Sequence, residues 1–537
     1  MIRELLYGVA AAALLAYTAD FLFSLRDDPR EPPRVRPAIP LVGHVLGIMR
    51  RGPTYYTETR FVCSAHVKTL QAGRPLTAES KKQRRVCGDA HPRNIPKHAK
   101  TLSFRPFLQI TARKHGDASD KTYEIYGGDL TDRLSHAVRS SLAPGSHLDE
   151  QNLRMGKRVL LEVDDLLGRG AASGAQSIRL LEWTRHLVVQ ASSCGVYGDQ
   201  HPLLDPEVEG AFWYELPGTS GLLLRTGERL TFANIGREWQ KYLTAHLAGL
   251  DVFGKGYKQR KVVYDAYVKY CRELPNDGSE LARQHKRVIR EAGVDELDYA
   301  KQASLFTIAV FGNTAPTLYW TVWEVFSRPG ILAEIRDEVE SRVVSTSSDG
   351  EFTLHVAALK SKCPVLLSVF QETQRTRHVN ASFRKVMADT VLGGRYLLKA
   401  GNFVQMPGQP IHGNTSLWGD GAMEFDPYRF VPDKKKDAAA LPPSGFVAWG
   451  APPHLCPARQ FAAVEVLIAT ALLAVRADLQ PHGGAWDKSP ALNYNDLSTL
   501  LNPNKDVRVS VAARQRWVGK WSLEMGESRS RVPLASG

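Results

Sequence analysis

The sequence predicts a mainly helical protein with a small β region, preceded by one N-terminal transmembrane helix. Three stretches carry that reading. Residues 5–25 form an apolar run broken by a single charge, Asp20. From about Tyr299 to Ser327 apolar residues recur at helical spacing, and residues 460–473 are almost uncharged and rich in helix formers, as in a helix buried on all sides. The β region is read from residues 381–386 and 390–398, where Gly393-Gly394 separates two runs of strand composition as a hairpin turn would.

Composition narrows the class. With 537 residues and 43% hydrophobic content the chain can bury a large core, as one domain or as two. Its cysteines, Cys63, Cys87, Cys194, Cys271, Cys363 and Cys456, are scattered with no CxxC pair. That argues against a disulfide scaffold or a zinc ribbon and for a reducing compartment. The net charge of +13 is spread along the chain rather than clustered with aromatics, so no nucleic-acid partner is expected. A membrane surface or an acidic electron donor suits it better.

As a helix, residues 5–25 would span about 32 Å, enough for a bilayer core. Arg3 alone is basic before it, whereas Arg26, Arg30, Arg34 and Arg36 follow, a bias that keeps the downstream chain in the cytosol. A cleaved signal peptide competes, but no small-residue cleavage site closes the run. The proline-rich stretch 29–40 reads as a stiff polyproline spacer. The expected organisation is an anchor over 1–28, a hinge over 29–40 and a catalytic domain over 41–537. Such an anchor implies a single-pass protein of the endoplasmic reticulum membrane with a cytosolic catalytic domain.

The chemistry-bearing segments lie in the C-terminal half. Cys456 stands between a Gly/Pro-rich loop beginning at Trp449 and the apolar helix, at whose first turn it is expected; amides and dipole there favour a thiolate, a candidate metal ligand. A lone cysteine before a core helix is more often inert. Glu372 and Arg375 share a helix face three residues apart, ordinarily a solvated surface pair. Asn313 and Thr314 precede Pro316 inside the predicted 299–327 helix, where proline removes a backbone bond and forces a kink.

Taken in order, these segments resemble the landmarks of the cytochromes P450, the haem-thiolate monooxygenases. Trp449, His454 and Cys456 match the cysteine-ligand loop, Glu372 and Arg375 the buried Glu-x-x-Arg pair, Arg429 in Asp426-Pro427-Tyr428-Arg429-Phe430 its third member, and Asn313-Thr314 the pair on the distal helix. The similarity runs over roughly residues 40 to 515 and is strongest after 300. It implies the cytochrome P450 fold and haem b, with Cys456 as proximal iron ligand and Trp449 in the cofactor loop. Arg384 and His454 are then expected at the haem propionates. Thr314, with Asn313, is expected to order water and protons, and NADPH-cytochrome P450 reductase to supply electrons. The Asn-Thr-x-Pro form followed by Trp320 looks like the sterol-hydroxylase and prostacyclin-synthase branch and its fungal biosynthetic relatives. A small apolar terpenoid or sterol, oxidised in secondary metabolism, follows as the expected substrate. Two alternatives stay open: a haem-thiolate isomerase or dehydratase working without reductase, and a non-catalytic haem- or lipid-binding relative. Phe311, Pro452 and Ala458 depart from the family pattern, the first with a ring that could crowd the oxygen site. Residues 76–100 show basic loop composition where the family has its first sheet strands.

Overall fold

The computed structural model describes residues 2–25, 28–32, 96–171, 176–212, 254–273, 278–434, 445–493, 498–526 and 530–536, with the single residues Gly47, Tyr55 and Pro275. The chain divides into two compact units. One comprises Met1–Phe104, Val379–Ala422 and Ser444–Leu455; the other comprises Arg105–His378, Met423–Pro443 and Cys456–Gly537.

In the first unit the N-terminal run forms helix α1 (Ile2–Ser24). Among the described residues, however, no helix is long and apolar enough to cross a membrane, so the expected transmembrane helix is not found. Arg3, Glu4 and Asp20 fall inside α1, although between residues 5 and 22 Asp20 is the single charge. Tyr7, Leu14, Leu15, Phe21 and Leu22 are nonetheless exposed along it. The expected polyproline spacer also differs where it is described. The Glu31 amide donates to the Asp28 carbonyl at 2.8 Å, and the Arg30 carbonyl accepts from the Leu397 amide at 2.9 Å, so this stretch turns and is pinned. Residues 33–40 and 76–95 lie outside the described residues. Pro96–His98 is one 3-10 turn leading to β1.

Part of the small β region lies in this unit. Strand β1 (Leu102–Ser103) pairs antiparallel with β2 (Ala381–Val386). The predicted hairpin is present as β3 (Thr390–Leu392) and β4 (Tyr396–Leu398), closed by Gly393 and Gly394 at φ 60° and 70°, angles that glycine reaches without a Cβ clash. Strand β5 (Phe403–Pro407) completes a three-stranded sheet with β2 in the centre, and β6 (Gly450–Ala451) pairs with β7 (His454–Leu455). Leu102, Val386, Leu392, Met406 and Ala451 form the core of this sheet. Side chains alternate along a strand, so Arg384 shares the buried face with Val386. It therefore sits on a central strand, not on an exposed edge.

In the second unit helices α2 (Ser146–Ala171), α3 (Leu180–Tyr197), α4 (Glu296–Phe311), α5 (Thr314–Phe326), α6 (Pro364–Arg377) and α7 (Arg459–Arg476) carry the residues of interest. The predicted 299–327 helix is thus two helices, separated at Gly312–Asn313. Helix α7 packs against α2 and α5, and its residues from Ala463 to Arg476 are all buried, as its uncharged sequence predicts.

Glu465 is the exception inside that apolar helix. It is fully buried and accepts a 2.7 Å hydrogen bond from the Ser192 hydroxyl. Burial raises its carboxyl to about 8, with the Ser192 bond offsetting only part. A carboxyl that stays protonated in the fold and ionises near 4.5 when unfolded contributes stability that is fully present below pH 4.5 and lost as pH rises through about 8. The loss should approach roughly 1.4 kcal/mol per pH unit across that window. Urea midpoints measured from pH 5 to 8.5 should fall for the parent and stay flatter for Glu465→Gln; equal slopes would remove Glu465 as the cause.

Candidate functional site

The break between α4 and α5 follows from backbone accounting. Thr314 opens α5, which places Pro316 at its third position, inside the first turn, where a backbone N–H is not required by the helix. The kink expected at proline is therefore moved upstream, to Gly312–Asn313. Lacking an N–H, Pro316 cannot hydrogen-bond the Gly312 carbonyl one turn earlier, and the Ser498 hydroxyl donates to that carbonyl instead, at 3.1 Å. Glycine is needed at 312 because a Cβ there would lie 2.6 Å from the Ile308 carbonyl oxygen. Asn313 caps the break from the other side. Its Oδ1 accepts from the Thr499 amide at 2.9 Å, and its own carbonyl accepts from the Thr317 hydroxyl at 2.7 Å.

Thr314 is buried, and its hydroxyl donates to the Val310 carbonyl at 3.3 Å, a long bond that leaves the proton open to redirection. Phe311 is buried as well. Its ring meets Phe212, the end of helix Pro206–Phe212, edge to face at 4.7 Å between centroids, so it is occupied in helix packing.

The cysteine loop begins at Trp449, half-buried in a turn. The hairpin β6–β7 follows, with the Pro452-Pro453 peptide cis and forming the two turn residues between Ala451 and His454. Proline at 452 is thus compatible with the loop. Gly450 supplies the freedom instead, at φ 93° with the His454 carbonyl 2.9 Å from where a Cβ would stand. Ala458 has φ −86°, within reach of any residue. Helix α7 starts only at Arg459, so Cys456 precedes its first turn by three residues, where it was expected inside it. Arg459 donates to the Cys456 carbonyl at 3.2 Å. Burial pushes the Cys456 thiol up, while a hydrogen bond from the Ala458 amide and the Arg459 charge pull it back.

Arg384 and His454 come together in the first unit around Phe104. The Arg384 guanidinium lies 5.8 Å from the Phe104 ring centroid, and the His454 ring 6.1 Å from it. His454 is exposed, whereas Arg384 is 2% exposed. Its hydrogen bonds go to the Phe383 and Ala451 carbonyls, both at 2.7 Å, and its buried Nε has no hydrogen-bond partner among the described residues. Burial alone brings the guanidinium down to about 10. Among the described residues this buried cation is answered only by carbonyls and one ring, which fits an anion from outside the chain, as a haem propionate would be. Phe104 escapes sequence reading because its partners lie hundreds of positions away. His412, which the sequence reading also missed, accepts at Nε2 from the Val447 amide at 2.9 Å, 35 positions on, and steadies the approach to Trp449.

Glu372, Arg375 and Arg429 form the expected cluster in the second unit. Arg375 grips Glu372 with two bonds of 2.7 Å, and Arg429 adds one of 3.0 Å. The Asp426 amide donates to the same carboxylate at 3.0 Å, and Arg375 also donates to the Glu424 carbonyl at 2.9 Å. All three charged side chains are buried.

Among the described residues no group of three or more His, Cys, Asp or Glu side chains could hold a metal ion by itself. A lone cysteine such as Cys456 therefore suits an iron whose remaining ligands come from a macrocycle better than a protein-only metal centre.

Comparison with known proteins points the same way. The family model for cytochrome P450 matches residues 260–506. Cytochrome P450 monooxygenase nodJ of Hypoxylon pulicicidum is 29% identical over 95% of both chains. A cytochrome P450 monooxygenase of Gibberella zeae is 25% identical over 98% of this chain and 97% of its own. The bifunctional cytochrome P450/NADPH–P450 reductase ALT2 of Alternaria alternata is 30% identical over 43% of this chain and 20% of its own.

Proposed function

The chain belongs to the cytochrome P450 family and is a monooxygenase of the oxidoreductase class, and on that premise we propose that it oxidises a small apolar substrate, a terpenoid or sterol, in secondary-metabolite biosynthesis. The observation that carries the reading is the Thr314 hydroxyl at the start of α5, beside a break that Pro316 creates. Haem, when bound, supplies a redox-active iron at which dioxygen is activated.

The chain's own residues have separate tasks. With haem bound, Cys456 would hold the iron, and Arg384 and His454 would hold the propionates. Trp449 and the β6–β7 turn shape the loop that presents Cys456. The Thr314 hydroxyl holds and relays a proton at Oγ1. The isomerase alternative drew on crowding by Phe311; since that ring packs on Phe212, the monooxygenase reading is the better supported. Electrons come from NADPH-cytochrome P450 reductase, a pairing consistent with the fused P450–reductase relative of Alternaria alternata. Tyr7, Leu14, Leu15, Phe21 and Leu22, exposed on α1, support attachment to the endoplasmic reticulum membrane with residues 41–537 on the cytosolic side.

Reductase-supported turnover over a panel of terpenoids and sterols tests this. Product should require NADPH, and Thr314→Ala should divert reducing equivalents to hydrogen peroxide more than it weakens substrate binding. Full product formation without NADPH would transfer the protein to the isomerase class, and no turnover on any member to the binding class.

A further inference from the structure

We infer that Ser498, assisted by the Asn313–Thr499 pair, is a positioning residue of the oxygen-side machinery: it holds the α4–α5 break in the geometry that presents Thr314. This rests on the monooxygenase reading above, but the observations behind it are independent of that reading.

The Gly312 carbonyl lies at the break, and the residue one turn on that would normally donate to it is Pro316, which has no N–H. A buried carbonyl left without a donor costs on the order of a lost hydrogen bond, so a replacement must come from elsewhere. Ser498 is 5% exposed and supplies it at 3.1 Å. One residue on, the Thr499 amide donates to Asn313 Oδ1 at 2.9 Å. The same segment is fastened twice more. The Trp320 indole donates to the Leu501 carbonyl at 2.9 Å, and Leu500 bridges to His378. Residues 498–501 thus run along α5 from its first residue to its second turn, with two of their contacts on the unwound residues themselves.

The consequence for Thr314 is geometric. Without Ser498 the Gly312 carbonyl needs another donor, and the Thr314 hydroxyl, two residues on in sequence and now directed at Val310, is a competitor for it. Rotation of Thr314 toward Gly312, or entry of water at the break, would each withdraw the hydroxyl from proton delivery. Ser498 keeps Thr314 available by occupying the carbonyl that competes for it. Asn313, through the Thr499 contact, likewise positions the break.

The test uses Ser498→Ala and the conservative Ser498→Thr in the full-length protein. Hydrogen exchange is read at the Thr317 and Thr499 amides, and hydrogen peroxide release per NADPH is read with reductase and no added substrate. Ser498→Ala should speed exchange at both amides about fivefold, the factor equivalent to one net hydrogen bond of about 1 kcal/mol. It should also raise peroxide release severalfold with the carbon monoxide spectrum of the reduced protein unchanged. Ser498→Thr should restore both. Unchanged exchange in Ser498→Ala would overturn the clamp. Faster exchange with unchanged peroxide release, or loss of the thiolate spectrum, would overturn the positioning role. If the parent consumes no NADPH with reductase, the monooxygenase reading fails while exchange still reports on the clamp.

Discussion

Cys456→Ser protein is expected to lose the strongly red-shifted Soret band that the reduced parent should show with carbon monoxide, and with it all oxidative turnover. The reasoning starts from the other thiols. Cys194, Cys271 and Cys363 are buried, and burial pushes each up to about 12, so none is poised to serve as a thiolate. Cys456 alone among the described cysteines is only partly buried, and although burial raises its thiol too, local groups pull it back. It is also the one that receives an amide hydrogen bond, from Ala458, with a nearby positive charge on Arg459. Serine keeps the size of the side chain but not a soft anionic ligand at neutral pH, so far-UV circular dichroism should stay near that of the parent while the spectrum changes. Retention of the red-shifted band in the serine variant would sink the assignment.

How much of this was legible in the sequence depends on range. The helix after Cys456, the Gly393-Gly394 hairpin and the Glu372–Arg375 pair are local, and periodicity or spacing of three exposes each of them. Arg429 as third member of the cluster came from resemblance, and the 3.0 Å bond to Glu372 bears it out. Pro316 was rightly read as disruptive, but its effect was placed at the proline. A helix tolerates proline in its first turn, so the chain restarted the helix at Thr314 and put the break at Gly312–Asn313. That choice is stabilised by Ser498 and Thr499, 186 positions away in each bond, which no window of sequence could display. The same holds for Phe311. Its bulk reads as a crowded site until Phe212 is seen to take up the ring. The proline and alanine in the cysteine loop look like missing glycines because a family pattern records residues, whereas the chain satisfies angles: Gly450 carries the positive φ and Ala458 has no need of one. At the N-terminus α1 forms over nearly the predicted interval, yet among the described residues no helix is long and apolar enough to cross a membrane.

Glu372→Ala is expected to prevent stable haem incorporation rather than to slow turnover. The carboxylate has no exposed surface and is met by Arg375 through two bonds, by Arg429 through one and by the Asp426 amide through another. Removing it leaves two buried guanidinium groups facing each other with carbonyl oxygens such as that of Glu424 as partners. Breaking a buried ion pair from one side costs about 3 to 5 kcal/mol, because the remaining charge keeps its desolvation penalty and loses its compensation. A surface pair would cost under about 1 kcal/mol, so the two cases are separable in one denaturation experiment. The cluster also fixes chain segments from α6 and from the 424–430 stretch, whose Phe430 amide is held by Ser368 on the same helix at 3.0 Å. Its loss should therefore loosen that stretch as well as lower the midpoint. Arg375→Ala should behave alike, since it strands the Glu372 charge with only Arg429 and one amide. The measurement is haem content per chain after expression, together with the urea midpoint of the purified protein. Normal loading with a shift below about 1 kcal/mol in either variant would show that the cluster is not what holds this part of the fold together.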